Sequence, residues 1–110
     1  MNYIKYKEQE LPCTIDFAVI KNVCAKGKLK LSDFESVLND PTQIEVLFIE
    51  ALKRGFKLEG KVFDISAEQA EDILAGSFAD FLKIVSEDVL NVFLSSEAKK
   101  KMLEAKAAQT

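Results

Sequence analysis

The chain has 110 residues, of which 48% are hydrophobic and 30% are charged, and its net charge is −3. This length is typical of a single domain, and this composition is typical of a compact folded chain rather than a disordered one. Because phosphate groups are bound by clustered positive charge, the acidic balance argues against nucleic acid or an anionic membrane as the main partner.

Residues 3–15 predict a small β-hairpin, because β-branched and aromatic side chains alternate loosely on either side of a polar centre. Pro12 cannot donate a hydrogen bond to a strand ladder, so the second arm should be an edge strand. A two-stranded ribbon is marginal alone and should therefore lie on the helices. Its edge would also be a place for another chain to add a strand.

The next two helices are predicted from their capping residues. Asp16 is an N-cap for a helix that ends at Gly27. Ser32 and Glu35 form a capping box for a helix of about two turns, which closes at Asn39.

The central helix is predicted to begin after Asp40, with Pro41 at its first position, and to end at Gly55. Its buried face is formed by apolar residues at helical spacing: Ile44, Leu47, Phe48, Ala51 and Leu52. Val46 and Ile49 are apolar too, but they lie outside this stripe. A helix that is apolar on more than one side is central in a core or covered by a partner.

Residues 56–65 are compatible with either a second short hairpin or a loop that holds Phe56, Leu58, Val62 and Phe63 on the core. Ser66 then begins a helix that should end at Gly76. A further helix should start at Ser77. Its buried apolar stripe continues to Val92 and Phe93 and begins with Phe78, Phe81, Leu82, Val85 and Val89.

The predicted fold class is therefore mainly α (α+β), with a small N-terminal β-hairpin packed on a bundle of about five helices. Residues 1–95 form a single domain in this interpretation. Residues 96–110 are rich in helix formers but have little to bury, so they should form a helical or frayed tail.

The candidate binding surface consists of the apolar helix positions outside the two buried stripes: Val46, Ile49, Ile84 and Leu90. Large apolar area left exposed on a folded protein usually marks a partner site. The expected occupant is an amphipathic client helix or a second copy of the chain.

No catalytic or cofactor site is predicted. The chain has no histidine and no Gly-rich phosphate-binding or nucleophile-elbow motif. Cys13 and Cys24 are too few for a closed metal cage and are expected to be buried thiols. The eight phenylalanines favour a core, with an apolar ligand cavity as the weaker alternative. The chain has no leader and no long apolar run, which predicts a cytoplasmic protein.

Several segments between residues 3 and 94 carry a likeness to a known family: Leu11 to Phe17, Phe17 to Ala25, Leu38 to Pro41, Ile44 to Leu52, Ile65 to Leu74, and Phe78 to Val85. In order and local character they resemble the tail assembly chaperones of long-tailed bacteriophages. None of these segments is a catalytic signature.

The resemblance implies a helical fold with a small sheet, and a protein of the bacterial host cytoplasm. Such a protein binds the long tape-measure protein and keeps it soluble while the tail tube polymerises around it. Many members of the family also exist as a longer frameshifted product that contacts the tube protein, and the run Lys99 to Lys101 lies where such a shift would fall. The alternative function is a helical interaction or regulatory module of another bacterial or phage complex.

Overall fold

The computed structural model describes the backbone of residues 1–93 and the side chains of residues 1–89. The elements are β1 (Asn2–Tyr6), β2 (Gln9–Cys13), α1 (Phe17–Gly27), a 3₁₀ helix (Leu31–Asn39), α2 (Pro41–Leu58) and α3 (Ala67–Phe93). The mainly helical class with an N-terminal hairpin agrees with the sequence prediction. This described part contains four helices rather than about five, because α3 replaces two predicted helices. The predicted tail, residues 96–110, lies outside it.

The hairpin is antiparallel, with Tyr6 opposite Gln9 and Tyr3 opposite Pro12. Lys7 in its two-residue turn has a φ of 56°. The hairpin lies on the helices, as predicted: the Thr14 N–H donates to the carbonyl of Ala51 on α2 at 3.2 Å. Its inward side chains, Ile4, Leu11 and Cys13, are buried in the core.

The helix starts follow the predicted capping chemistry in most places. Asp16 accepts from the Val19 N–H at 3.1 Å, and Asp40 accepts from the N–H of Thr42 at 2.9 Å. At the start of α3, Ser66 and Gln69 form a reciprocal capping box at 3.0 and 3.1 Å. The 3₁₀ helix differs, since it begins at Leu31 without a side-chain cap.

The prediction that the central helix ends at Gly55 is wrong, because α2 continues to Leu58 and Gly60 (φ 68°) takes the left-handed conformation instead. Gly55 is buried against β2. A Cβ atom at this position would lie 2.3 Å from the carbonyl oxygen of Pro12 and 2.5 Å from its carbonyl carbon. The absence of a side chain therefore allows α2 and β2 to approach closely.

Residues 61–66 form a loop, which decides between the two alternatives for this segment. The Lys61 N–H donates to the Phe56 carbonyl at 2.9 Å, and the rings of Phe56 and Phe63 pack edge to face with centroids 5.4 Å apart. The loop holds Phe63 on the core but leaves Leu58 and Val62 exposed, at 53% and 83%.

The predicted helix boundary at Gly76 and Ser77 is a kink within α3. Ser77 has non-helical dihedral angles (φ −129°, ψ 20°), and its hydroxyl donates to the Lys5 carbonyl on β1 at 3.3 Å. Both halves of α3 reach the core, which includes Ile73 and Leu74 before the kink and Phe81 and Val85 after it. At its centre the Phe48 and Phe81 rings pack edge to face, 4.9 Å apart.

Candidate protein-binding face

Two polar contacts fix the direction of α3 along the hairpin. Ser77 contacts Lys5, and eleven residues further on Asp88 accepts from the side-chain amide of Asn2 at 3.1 Å. Helix α3 therefore runs antiparallel to β1 and parallel to β2.

The direction of α2 follows from its contacts with β2. Gly55 lies at Pro12, whereas Ala51, one turn earlier in α2, accepts from Thr14. Helix α2 is thus antiparallel to β2 and also to α3. The two helices meet at the contact between Phe48 and Phe81.

The geometry of an antiparallel helix pair determines which residues share its free side. Each residue advances by about 100° around a right-handed helix, so the residues that follow two contacting positions turn to the same side of the pair. Ile49 follows Phe48, and Leu82 follows Phe81. The hairpin contacts of both helices lie on the other side, at Ala51 and Gly55 of α2 and at Ser77 and Asp88 of α3. These contacts leave one side of the helix pair facing away from the hairpin.

We call this side the distal face. Its apolar residues are Val46 and Ile49 of α2 and Phe78, Leu82 and Val89 of α3.

The distal face is partly exposed. Phe78 is 44% exposed, and the other four side chains are half-buried against the core. From the kink at Ser77 to Val89 this side of α3 is free of charge, because helical spacing groups Phe78, Leu82 and Val89 with Ala79 and Ser86. Asp80, Lys83 and Glu87 turn elsewhere. A continuous apolar strip with an exposed aromatic ring at one end is typical of a protein contact surface.

Two of the four predicted surface residues lie on this face. Ile49 is near its centre, and Val46 lies at the edge nearest α1, since it precedes by one turn Glu50, which pairs with Lys26 of α1. The side chain of Leu90 lies outside the described residues.

Ile84 is a correction to the predicted surface. It is only 6% exposed, belongs to the hydrophobic core, and lies on the hairpin side, where it lines a cleft with Asn2, Tyr3 and Lys5 of β1. Helix α3 packs against α2 on one side and against β1 on another, so it has a wider buried surface than a single stripe. Ile84 lies on the part that faces β1. A side chain so buried offers no area to a partner.

The helical spacing of α3 assigns Phe78, Leu82 and Val89 to a buried stripe, so sequence reasoning alone misses their part in the distal face. The signal that could have found them is the absence of charge along one side of α3 between Phe78 and Val89. A helix side that faces only water usually carries charged residues, so an uncharged side that is not fully buried indicates a contact surface.

The hairpin edges, also considered as a partner site, are in contact with the protein's own helices. The Lys5 carbonyl accepts from Ser77, and the Pro12 carbonyl lies against Gly55. The hairpin is also tied to the end of α2 by a hydrogen bond from Tyr3 to Glu59, which raises the pKa of the tyrosine and lowers that of the carboxyl group.

The two thiols differ in burial. Cys13 is fully buried, and desolvation, with a smaller contribution from the charge of Asp88, raises the pKa of its thiol to about 12. Cys24 is half-buried. We expect Cys24 to react with iodoacetamide at pH 8 at least about tenfold faster than Cys13, since the thiolate is the reactive form and Cys13 requires local opening. Peptide mass spectrometry over a labelling time course measures both rates; equal rates would contradict the burial of Cys13.

Comparison of the chain with family models, curated proteins and solved structures gives no match. Within residues 1–93, no helix is long and apolar enough to cross a bilayer. The same part of the chain contains no group of three or more Cys, Asp or Glu side chains placed to hold a metal ion.

Proposed function

We propose that this chain is a non-enzymatic tail assembly chaperone, and that the distal face binds an amphipathic helix of a tape-measure protein in the bacterial host cytoplasm. The observation that supports the proposal most directly is the uncharged strip of α3, in which Phe78 is 44% exposed beside the half-buried Leu82. The predicted layout of a hairpin on a helical layer, which the resemblance also implies, is consistent with it. The tube protein would be a second partner, through a longer product.

The proposed action is shielding. A tape-measure chain is long, helical and amphipathic, so its apolar stripe would associate with other copies before the tube forms around it. A helix laid across the distal face would cover that stripe with Ile49, Phe78 and Leu82. Full burial of a large apolar side chain contributes about 1.5–3 kcal/mol, and each of these three partly buried residues would gain only part of that. Once the entropy cost of association is subtracted, each chaperone should bind weakly enough to be displaced by the growing tube.

The alternative, an interaction or regulatory module of another complex, would use the same face for a different occupant. The gene neighbourhood distinguishes the two proposals. A gene immediately downstream that encodes a very long coiled-coil protein would support the proposal that the client is a tape-measure protein. The absence of such a gene would favour the alternative.

Replacing Phe78 with serine tests the proposed binding face. When the variant and the product of the downstream gene are co-expressed, we expect it to co-purify with less than about one tenth of the amount of client that the unmodified chain retains, because an aromatic anchor often contributes 2 kcal/mol or more to binding. Its far-UV CD spectrum should be unchanged, and its melting temperature should fall by only a few degrees because the ring is already 44% exposed.

The matched control is Val62→Ser, which removes an 83% exposed apolar side chain from the loop outside the distal face. This variant should co-purify with the client as the unmodified chain does. Full client binding by the Phe78→Ser variant, or equal loss in both variants, would exclude the distal face as the binding site.

A further inference from the structure

One row of α2 on the distal face has opposite charges on either side of an apolar centre. Glu45, Ile49 and Lys53 are spaced four residues apart, so they follow one another along one side of the helix. By the rise of an α-helix, each charge is about 6 Å along the axis from Ile49, and the two are about 12 Å apart. They are too far apart to pair with each other within one helix.

This row is complementary to itself. A two-fold axis through Ile49, perpendicular to α2, places the α2 helix of a second copy antiparallel on the first. Ile49 then meets Ile49, and Glu45 of each copy faces Lys53 of the other. The apolar positions beside the row, Val46 of α2 and Leu82 of α3, would be covered in the same contact.

The two charges are available for such a contact. The Lys53 ammonium lies 3.9 Å from a Glu50 oxygen that Lys26 already contacts, and 6.0 Å from the centre of the Phe63 ring. Both contacts are at the long end of their range, so a carboxylate at hydrogen-bond distance would be the closer partner for Lys53. Glu45 is half-buried, and among the described residues no cation is paired with it. A partly desolvated carboxylate gains more from a new partner than a fully hydrated one does.

We propose that the free protein forms a two-fold symmetric dimer through the distal face, with α2 packed antiparallel against α2 of a second copy. The proposal rests on the proposed function in one respect only: a client helix and a second copy would compete for the same side chains. The dimer would then keep the apolar strip covered until a client is available.

Charge reversal at the two ends of the row tests the dimer. Sedimentation equilibrium of the full chain should show a monomer–dimer equilibrium that weakens about tenfold or more in Glu45→Lys and in Lys53→Glu, since each change places like charges face to face twice. The double variant Glu45→Lys/Lys53→Glu should regain dimerisation. An equimolar mixture of the two single variants should also form a dimer, because each then supplies the charge that the other needs.

The controls are Glu87→Lys and Lys21→Glu, exposed positions that alter the net charge by the same amounts and should leave the dimer unchanged. The proposal is overturned by a wild-type chain that stays monomeric up to millimolar concentration, by single variants that dimerise like their controls, or by a mixture that does not associate. Any of these results, combined with loss of client binding in Phe78→Ser, would leave the proposed function intact and remove only the dimer.

Discussion

Replacing Gly55 with alanine is expected to destabilise the fold by about 3 kcal/mol or more, the upper range for a side chain forced into a packed interior. The new methyl carbon would lie 2.3 Å from the Pro12 carbonyl oxygen and 2.8 Å from the backbone nitrogen of Cys13. Both atoms belong to backbone rather than to a flexible side chain, so α2 and β2 must move apart. For a domain of this size the melting temperature should fall by roughly 10–20 °C.

The control for this change is Gly76→Ala, because a Cβ at Gly76 has no neighbour within 4 Å. Alanine at this exposed helical position should be neutral or should stabilise the protein by up to about 1 kcal/mol, since glycine has the lower helix propensity. Urea denaturation of both variants measures the difference. A Gly55→Ala variant as stable as Gly76→Ala would show that α2 and β2 are not in close contact.

Replacing Asp88 with alanine should destabilise the protein by about 2–3 kcal/mol, because its carboxylate is the acceptor for two distant donors. One oxygen accepts from the Ile15 backbone N–H at 3.0 Å, and the other accepts from the Asn2 side chain at 3.1 Å. These bonds hold the open end of the hairpin, where β1 begins and the chain leaves β2, to α3. The alanine variant would leave the Ile15 N–H without its acceptor in a partly buried site.

Two further variants separate this role from a general effect of charge. Asp88→Asn retains one acceptor oxygen and should lose about half as much stability as Asp88→Ala. Glu87→Ala removes an exposed neighbouring carboxylate and should change the free energy of unfolding by less than about 0.5 kcal/mol. Equal losses at positions 87 and 88 in thermal melts would contradict the role of Asp88 as a tie between elements.

The parts of the fold that could be predicted from sequence are those set by local chemistry. The caps at Asp16, Asp40 and Ser66 use donors and acceptors within four residues, and the structure has all three. The role of Gly55 could not be predicted from sequence, because it depends on contact with Pro12, which is distant in sequence. The break in helical geometry at Ser77 lies where the sequence predicts a helix boundary, but its hydrogen bond to Lys5 of β1 could not be predicted because the two residues are distant in sequence.

The candidate face was partly predictable. Val46 and Ile49 could be placed outside the core stripe of α2 from helical spacing alone. Ile84 could not be assigned in the same way, because spacing gives the angle of a side chain but not the element that lies there. In α3 that element is β1, which covers Ile84 and makes it a core residue rather than a surface residue.

The tie at Asp88 has a consequence for the order in which the protein forms during synthesis. Asn2 leaves the ribosome 86 residues before Asp88, an interval of roughly 4–17 s at ordinary translation speeds. Until then the hairpin lacks the helix that fastens it, and a two-stranded ribbon alone is marginally stable. The nascent chain therefore completes its structure only when nearly all of the domain has emerged, and a product shortened before Asp88 would lack this fastening.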